Sequence, residues 1–230
     1  MTQRSDAETY EGRVLGVMQE HHKRTSREYG SRAGADKPDL AEVAKRFDRD
    51  YWDGERKFGY GGYEDDGRWE KIASKLADIY RLKPGDSVLD IGCGKGFLLA
   101  HLLKATPGLK VCGVDISKYA ICHSTPVVSS YLVNSTAMAA DLAPGAFDLV
   151  VSINTLHNLR VDELFLTLGK INQLSRGRSY ICVESYRNEV EKWNLMRWQL
   201  TCESFYTPEE WKWIFRHTGY QGDFEFIFFE

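Results

Sequence analysis

The chain has 230 residues, of which 43% are hydrophobic and 27% are charged, a composition typical of a soluble globular protein with one sizeable core. Its 30 lysines and arginines against 33 aspartates and glutamates give a net charge of −3, which provides no basic field for nucleic acid. Apolar runs are far shorter than the roughly 18 residues needed to cross a bilayer, and the N-terminus does not resemble a signal peptide. We therefore expect a cytoplasmic protein with neither a nucleic-acid nor a membrane partner.

Residues 1–36 are polar, apart from a weak apolar stripe at helical spacing formed by Val14, Val17, Met18 and His21. The stripe predicts a short helix, which could pack as a lid over a site or as the arm of a homodimer. No metal site is predicted. The adjacent His21 and His22 would point in different directions on a helix, and the five cysteines have no metal-ligand spacing and are expected to be reduced thiols.

Apolar residues recur at helical spacing over residues 38–52 and predict a second helix. Residues 51–63 interleave aromatic, glycine and charged residues, a pattern that fits neither a regular helix nor a half-buried strand. We expect this loop to cap a cofactor and to line the substrate site with Tyr60 and Tyr63; alternatively, its rings only plug the end of the sheet. Arg56 and Arg68 suggest an anionic substrate group, although each could be an ordinary surface charge.

After a helix predicted over residues 69–82, residues 88–91 predict a short buried strand, followed by a glycine loop and a helix over residues 97–105. The third loop glycine comes one residue too early for a pyrophosphate-binding G-x-G-x-x-G loop, which excludes a dinucleotide site of that type. Asp90 lies two residues before the first glycine instead. This acid suits a ligand with an ammonium group, while the loop N–H groups would bind a carboxylate.

A second acidic residue, Asp115, ends the next apolar run at residues 111–115. At the tip of a second strand, its carboxylate could accept hydrogen bonds from both hydroxyls of a ribose, each worth roughly 1.5–3 kcal/mol. An amino acid joined to a nucleoside describes S-adenosyl-L-methionine. The residues predicted to bind this cofactor through the two acids and the loop between them are Asp90, Gly92, Cys93, Gly94, Gly96 and Asp115.

Three sequence motifs resemble those of the class I S-adenosylmethionine-dependent methyltransferases: V-L-D-I-G-C-G-K-G at 88–96, V-D-I-S at 114–117 and F-D-L-V-V-S-I-N-T-L-H-N-L at 147–159. The resemblance implies an α/β fold with a Rossmann-like, doubly wound, mostly parallel sheet and helices on both faces. This core would span residues 84–230, after an N-terminal helical cap over residues 1–83. The resemblance also implies cofactor contacts at Ile116 and, beside the adenine, at Ser135 and Thr136, with Asp141 as an alternative.

Residues 147–153 predict the fourth strand and residues 180–184 the fifth. Because ligands of open parallel sheets lie at the carboxyl ends of the strands, we expect Asn154 and His157 near the cofactor's methyl group, and Glu184 and Tyr186 at the same edge. A hydroxyl acceptor must lose a proton, and His157 is the preferred base because its ordinary pKa lies near neutrality. Glu184 is the alternative base. In the other interpretations His157 is a hydrogen-bonded structural residue and Glu184 binds substrate.

Thr207, Pro208 and Glu210 predict a helix start, and a single closing strand follows at residues 224–229, where this fold usually ends in a hairpin. Residues 50–69 and 200–230 resemble bacterial methyltransferases that modify capsule and lipopolysaccharide O-chains. This narrower resemblance implies a sugar, sugar nucleotide or phosphorylated precursor of surface glycans as the acceptor, contacted by Arg56, Tyr60, Tyr63, Arg68 and Tyr186. The expected function is methyl transfer to a hydroxyl of such a small molecule. The alternatives are a protein or RNA methyltransferase and a cofactor-binding protein without turnover.

Overall fold

A parallel β-sheet of six strands forms the centre of the computed structural model, which describes residues 12–24, 27–34 and 36–230. Its spatial order is β3-β2-β1-β4-β5-β6, and every neighbouring pair is parallel. The strands are β1 (Ser87–Ile91), β2 (Lys110–Asp115), β3 (Leu132–Asn134), β4 (Leu149–Ile153), β5 (Ser179–Ser185) and β6 (Asp223–Phe228). The order reverses between β1 and β4, and in such sheets ligands bind at the carboxyl edge beside this reversal.

Helices cover both faces of the sheet, which confirms the predicted Rossmann-like, doubly wound fold. The α-helices within the described residues are α1 (Gln19–Arg24), α2 (Lys37–Ala44), α3 (Arg49–Asp53), α4 (Arg68–Tyr80), α5 (Phe97–Ala105), α6 (Lys118–Cys122), α7 (Val161–Leu174), α8 (Glu189–Trp198) and α9 (Pro208–Thr218). Strands β4 and β5 are buried along their whole length, which explains their continuous apolar runs. No helix in these ranges is long and apolar enough to span a membrane.

Two buried clusters hold the layers together. Helices α4 and α5 pack on one face of the sheet, where Leu76 and Leu99 are fully buried, and α7 and α9 pack on the other, where Leu168 and Trp211 are fully buried. Helix α4 lies within residues 1–83, the region that we predicted to be a cap, and yet it belongs to the same cluster as β1.

Local capping signals are confirmed. The Thr207 hydroxyl accepts a hydrogen bond from the Glu210 N–H at 3.3 Å, and the Glu210 carboxylate accepts one from the Thr207 N–H at 2.7 Å. Ser117 caps α6 by accepting a hydrogen bond from the Ala120 N–H at 3.0 Å. These contacts satisfy N–H groups that the first turn of a helix leaves without partners.

The prediction of one helix over residues 38–52 is wrong. The chain forms two helices, α2 and α3, and Phe47 between them has a φ of +48°. The Phe47 carbonyl accepts hydrogen bonds from the Trp52 Nε1 and the Ser117 hydroxyl, at 3.1 and 2.5 Å. Helix α3 also extends into residues 51–53, which we expected to be irregular. The contact with Ser117, in a loop distant in sequence, explains the break between α2 and α3, which the hydrophobic periodicity does not reveal.

The apolar stripe near the N-terminus is also not one helix. Residues near Val14 are extended and pair in parallel with the outer edge of β6. The Leu15 N–H donates to the Phe224 carbonyl at 2.9 Å, and the Phe224 N–H donates to the Arg13 carbonyl at 3.0 Å. This segment occupies the edge where we noted only one closing strand. Pairing satisfies backbone groups that an edge strand otherwise exposes.

Helix α1 begins only at Gln19, and its start is held by Glu225 of β6. The buried Glu225 carboxylate accepts hydrogen bonds from the N–H groups of Val17, Met18 and Gln19 at 2.6, 2.9 and 2.9 Å. Val17 and Met18 are buried. The stripe packs within its own chain, and Met18, His21 and His22 line one of the cavities described next.

Candidate active site

Two adjoining cavities open at the carboxyl edge of the sheet. The loop cavity, about 170 Å³, lies between the glycine loop and residues 51–63 and is lined by Asp90, Gly92 and Asp115. The arginine cavity, about 260 Å³, is lined by several arginines together with His157 and Glu184. The residues that line both cavities are Tyr51, Tyr60, Tyr63, Asn154 and Asn158. A ligand in one cavity would therefore meet a ligand in the other at this shared wall.

The glycine loop is shaped by close approaches as well as by its turn. Gly92 has a φ of +81°, and a Cβ there would lie 2.0 Å from the Thr155 hydroxyl oxygen. Gly96 has a φ of +78° and precedes α5, and a Cβ there would lie 2.7 Å from Val128. Gly96 is outside the loop cavity, whereas Gly92, Cys93 and Gly94 line it. The third glycine thus serves the turn and the packing of the loop against the chain before β3.

Two carboxyl groups face the loop cavity. The Asp115 carboxylate accepts hydrogen bonds from the N–H groups of Gly94 at 2.8 Å and Ser117 at 2.7 Å, and burial raises its pKa. Asp90 is 4% exposed. Burial, and secondarily the charge of Asp115, raise the pKa of Asp90 to about 8. In the described part of the chain no group donates a hydrogen bond to the Asp90 carboxyl. A cationic ligand group would offset both causes of this shift.

Residues 51–63 lie over the glycine loop as a chain of aromatic rings. Trp52 stacks on Tyr60 with ring centroids 5.4 Å apart, Tyr60 contacts Tyr63 at 4.5 Å, and Tyr63 stacks on Phe97 of α5 at 5.1 Å. The loop after α3 folds back on that helix, because the Tyr60 N–H donates to the Tyr51 carbonyl at 2.8 Å. The rings therefore close the loop cavity on the side opposite the sheet.

The remaining predicted cofactor residues lie around the same cavity. Ile116, Ser135 and Thr136 line its outer side, and Ile116 is 54% exposed. Asp141, the alternative to the Ser135–Thr136 pair, lies outside both cavities. Asn154 adopts a φ of +56°, and its Oδ1 is buried without a hydrogen-bond partner among the described residues. Its position at the end of β4 puts it on the shared wall.

His157 and Glu184 form a buried pair in the arginine cavity. The Glu184 N–H donates to the His157 Nδ1 at 3.4 Å, and the His157 Nε2 lies 3.4 Å from the Glu184 Oε2. Burial lowers the pKa of His157 to about 3 and raises that of Glu184 to about 8. The Glu184 Oε1 accepts a hydrogen bond from the Gln199 amide, whereas its Oε2 is buried with no hydrogen-bond partner in the described ranges. Burial therefore favours the uncharged form of both groups.

Arginines surround the opposite part of this cavity. The predicted Arg56 and Arg68 both line it. Arg27 and Arg32 line it too, and sequence reasoning missed them because they come from the loop and turn before α2. Trp198, at the end of α8, lines this cavity as well.

Tyr186 is not brought to the site. It lies beyond the end of β5, outside both cavities, and its ring contacts the Lys192 ammonium at 5.3 Å. The strand runs one residue past Glu184, to Ser185, whose hydroxyl donates to the Tyr206 carbonyl at 2.9 Å. The chain then turns away toward α8.

The known proteins to which this chain is similar include methyltransferases. A family model described as a methyltransferase domain matches residues 63–223. Ribosomal protein L11 methyltransferase of Methylobacillus flagellatus is 44% identical over 80 residues, which cover 34% of this chain and 26% of that protein. Demethylmenaquinone methyltransferase of Symbiobacterium thermophilum is 31% identical over 128 residues, which cover 52% of this chain and 50% of that protein.

The chain thus spans half or less of the length of these curated relatives. Among solved structures, a SAM dependent methyltransferase from Archaeoglobus fulgidus is similar with a TM-score of 0.50 and 26% identity. That similarity covers 66% of this chain and 68% of the other.

Proposed function

Because the chain belongs to the methyltransferase-domain family, we propose that it transfers a methyl group from S-adenosyl-L-methionine to a hydroxyl of a small polar acceptor. The observation that supports this most is the meeting of the two cavities at Tyr60, Tyr63 and Asn154. One cavity offers carboxylates and a glycine loop, and the other offers a buried carboxyl beside arginines. A donor and an acceptor held on the two sides of one wall would be aligned for transfer, and alignment alone can supply a large part of catalysis.

The chemistry of the loop cavity fits the cofactor. Asp90, a buried acid that accepts no hydrogen bond from the described residues, suits the ammonium group, and Asp115 suits the ribose hydroxyls. The loop N–H groups at Gly92, Cys93 and Gly94 would hold the carboxylate. Ile116, Ser135 and Thr136 would line the adenine, and Asn154 would contribute its unpartnered Oδ1. When bound, the cofactor supplies an electrophilic methyl group attached to a sulfonium sulfur, and the leaving group is a neutral thioether.

On the acceptor side, we assign proton removal to Glu184 and a positioning role to His157. The His157 Nδ1 accepts a hydrogen bond from the Glu184 N–H, so the neutral ring carries its proton on Nε2, toward the Glu184 carboxyl. Neither ring nitrogen then has a free lone pair with which to take a proton from the substrate hydroxyl. The Glu184 Oε2 lies 3.4 Å from the His157 Nε2 but makes no hydrogen bond within the described residues. A carboxyl with a pKa of about 8 is also well matched to removing a hydroxyl proton near neutral pH.

The acceptor cavity favours a small molecule. Its volume, about 260 Å³, lies just below the range of small-molecule sites, roughly 300–1,000 Å³. Arg56, Tyr60, Tyr63 and Arg68 line it and would contact the acceptor. A sugar, a sugar nucleotide projecting from the cavity, or a phosphorylated precursor of surface glycans is the acceptor class that we propose from the sequence resemblance. Tyr186 would contribute only if it moved toward the cavity.

A second candidate is methylation of a macromolecule. One relative is named for ribosomal protein L11, and this chain would then use the rim of the arginine cavity to admit a side chain. A third reading, cofactor binding without turnover, keeps the loop cavity and assigns no chemistry to Glu184.

Calorimetry with S-adenosylhomocysteine tests the cofactor assignment, and transfer from methyl-labelled cofactor to panels of sugar phosphates, sugar nucleotides and ribosomal proteins tests the acceptor. Binding followed by labelling of a small molecule is the expected result. Labelling of ribosomal protein alone would favour the second candidate, and binding without transfer to any panel the third. Absence of binding would contradict the proposed function.

A further inference from the structure

Three guanidinium groups surround one tryptophan ring in the arginine cavity. The Cζ atoms of Arg32, Arg56 and Arg27 lie 4.5, 5.1 and 5.8 Å from the Trp198 ring centroid. Guanidinium groups favour aromatic faces, so the ring explains how these side chains are oriented. It does not neutralise their charge, because an aromatic ring carries no net charge.

The hydrogen bonds of two of these groups are also made to uncharged acceptors. Arg32 donates to the main-chain carbonyls of Gly59, Arg56 and Trp198, and Arg56 donates to the carbonyl of Gly59. Within residues 12–24, 27–34 and 36–230, no carboxylate forms an ion pair with either guanidinium. Arg32 is 5% exposed, and burial together with the charge of Arg56 lowers its pKa to about 10.

Arg68 serves as an internal comparison in the same cavity. Its Nε and Nη2 contact the two carboxylate oxygens of Asp66 at 2.6 and 2.5 Å, a bidentate pair that neutralises its charge. Among the described residues, Arg32 and Arg56 have no such ion pair. Burying adjacent like charges is unfavourable unless a counter-charge compensates them. Of the acids that line this cavity, Glu64 is exposed, and Glu184 is buried, which raises its pKa and favours its neutral form.

We propose that the arginine cavity binds the acceptor through a carboxylate or phosphate group held by Arg27, Arg32 and Arg56. The planar fork of a guanidinium matches both anions. The anion would lie on the Trp198 side, and the acceptor's hydroxyl would lie near Glu184 and Asn154, where the two cavities meet. This inference rests on the proposed function and narrows it, because it makes the acceptor an acidic small molecule recognised by residues 27–32 and 198 as well as by Arg56.

Three probes of similar size and different charge test the subsite: phenyl phosphate, benzoate and benzyl alcohol. Each is titrated by calorimetry into the full chain saturated with S-adenosylhomocysteine, which occupies the loop cavity, and again without it. We expect one or both anions to bind about 10- to 100-fold more tightly than the alcohol, the range for charge-assisted hydrogen bonds. Preference for phenyl phosphate over benzoate would identify phosphate as the recognised group, and the reverse would identify a carboxylate. Equal affinity for all three probes would overturn the proposal.

Variants then locate the binding. Arg56→Gln should lower the affinity for the preferred anion about tenfold or more and leave the affinity for benzyl alcohol unchanged, and Arg56→Lys should restore part of the loss. Arg46→Gln is the matched control, since Arg46 is exposed and pairs with Glu42 outside the cavity. A larger loss for Arg68→Gln than for Arg56→Gln, or no loss for Arg56→Gln, would contradict the assignment.

Two controls separate this inference from the proposed function. Affinity for S-adenosylhomocysteine reports that each variant is folded, and the anion-to-alcohol ratio of the unmodified chain tests the subsite even if a variant does not fold. Failure of S-adenosylhomocysteine to bind, with the anion preference intact, would reject the methyl-transfer function alone. Cofactor-product binding without any anion preference would reject the anion subsite alone.

Discussion

The Lys95 ammonium lies 2.7 Å from an Asp53 carboxylate oxygen and joins the glycine loop to the segment above it. Lys95 also donates to the Tyr63 carbonyl at 2.8 Å, and the Asp53 carboxylate accepts the Tyr63 N–H at 3.0 Å. Both contacts fasten the loop after α3 over the loop cavity. The Lys95 side chain is 8% exposed and that of Asp53 is 26% exposed, so the ammonium is shielded from solvent more than in most surface ion pairs.

We expect Asp53→Ala to destabilise the protein by roughly 3–5 kcal/mol, because it leaves the Lys95 ammonium buried without its counter-charge. Urea denaturation measures this change, and hydrogen exchange should show faster exchange over residues 54–63. Lys104→Met is the control, because the Lys104–Glu70 pair is exposed and should contribute less than about 1 kcal/mol. Equal effects of the two variants would contradict the fastening role.

Asp115→Ala should weaken binding of S-adenosylhomocysteine at least tenfold while the fold persists. Removing a charged acceptor costs roughly 1.5–3 kcal/mol for each hydrogen bond to a ribose hydroxyl. Calorimetry measures the affinity, and circular dichroism checks the fold. Asp141→Ala, outside both cavities, should bind normally, and unchanged affinity in Asp115→Ala would remove the ribose assignment.

Binding of S-adenosylhomocysteine at pH 7 should release protons. Because burial and Asp115 raise the pKa of Asp90 to about 8, the free protein is mostly protonated there at pH 7, whereas a bound ammonium favours the carboxylate. Affinity should therefore fall as the pH decreases from about 8. Calorimetry in buffers of different ionisation enthalpy counts the protons. Asp90→Asn should bind weakly with little proton release, and full release in that variant would point to another group.

Glu184→Gln should lower the rate of methyl transfer by roughly 10²–10⁴-fold with little change in cofactor affinity, as expected when a general base is removed. His157→Asn should have a smaller effect and should shift the pH profile, since the ring orients Glu184 through the 3.4 Å contacts. The pH dependence of kcat/KM tests both variants. A loss in His157→Asn that exceeds the loss in Glu184→Gln would make His157 the base.

The free energy of unfolding of Glu184→Gln should rise relative to that of the unmodified protein between about pH 5 and 8. The pKa of Glu184 is raised from 4.5 to about 8 in the folded chain, so over this interval the folded protein holds a proton that the unfolded chain has lost. Its contribution to stability therefore decreases with increasing pH, by at most about 1.4 kcal/mol per pH unit. Denaturation at several pH values measures the difference. A constant difference would show that Glu184 is ionised in the folded state.

The sheet, the glycine loop and the two acidic strand ends were predictable from the sequence. Helices α5 and α9 begin at the predicted residues Phe97 and Pro208. Asp90, Asp115, His157 and Glu184 lie at the carboxyl edge, where the order of strands and helices required them. Hydrophobic periodicity, glycine spacing and capping residues act between neighbours in the chain, so they can be recognised without knowing the fold.

The second cavity was decided only by the tertiary structure. Arg32 reaches the Trp198 carbonyl across 166 positions of sequence, and the N-terminal segment reaches β6 across more than 200. Neither contact has a local sequence signal, because its two partners are far apart in the sequence and meet only in the folded chain. The sequence alone predicted the loop and the two acids to which we assign cofactor binding. The packing of the two ends of the chain against the sheet decided which charged side chains line the adjacent arginine cavity.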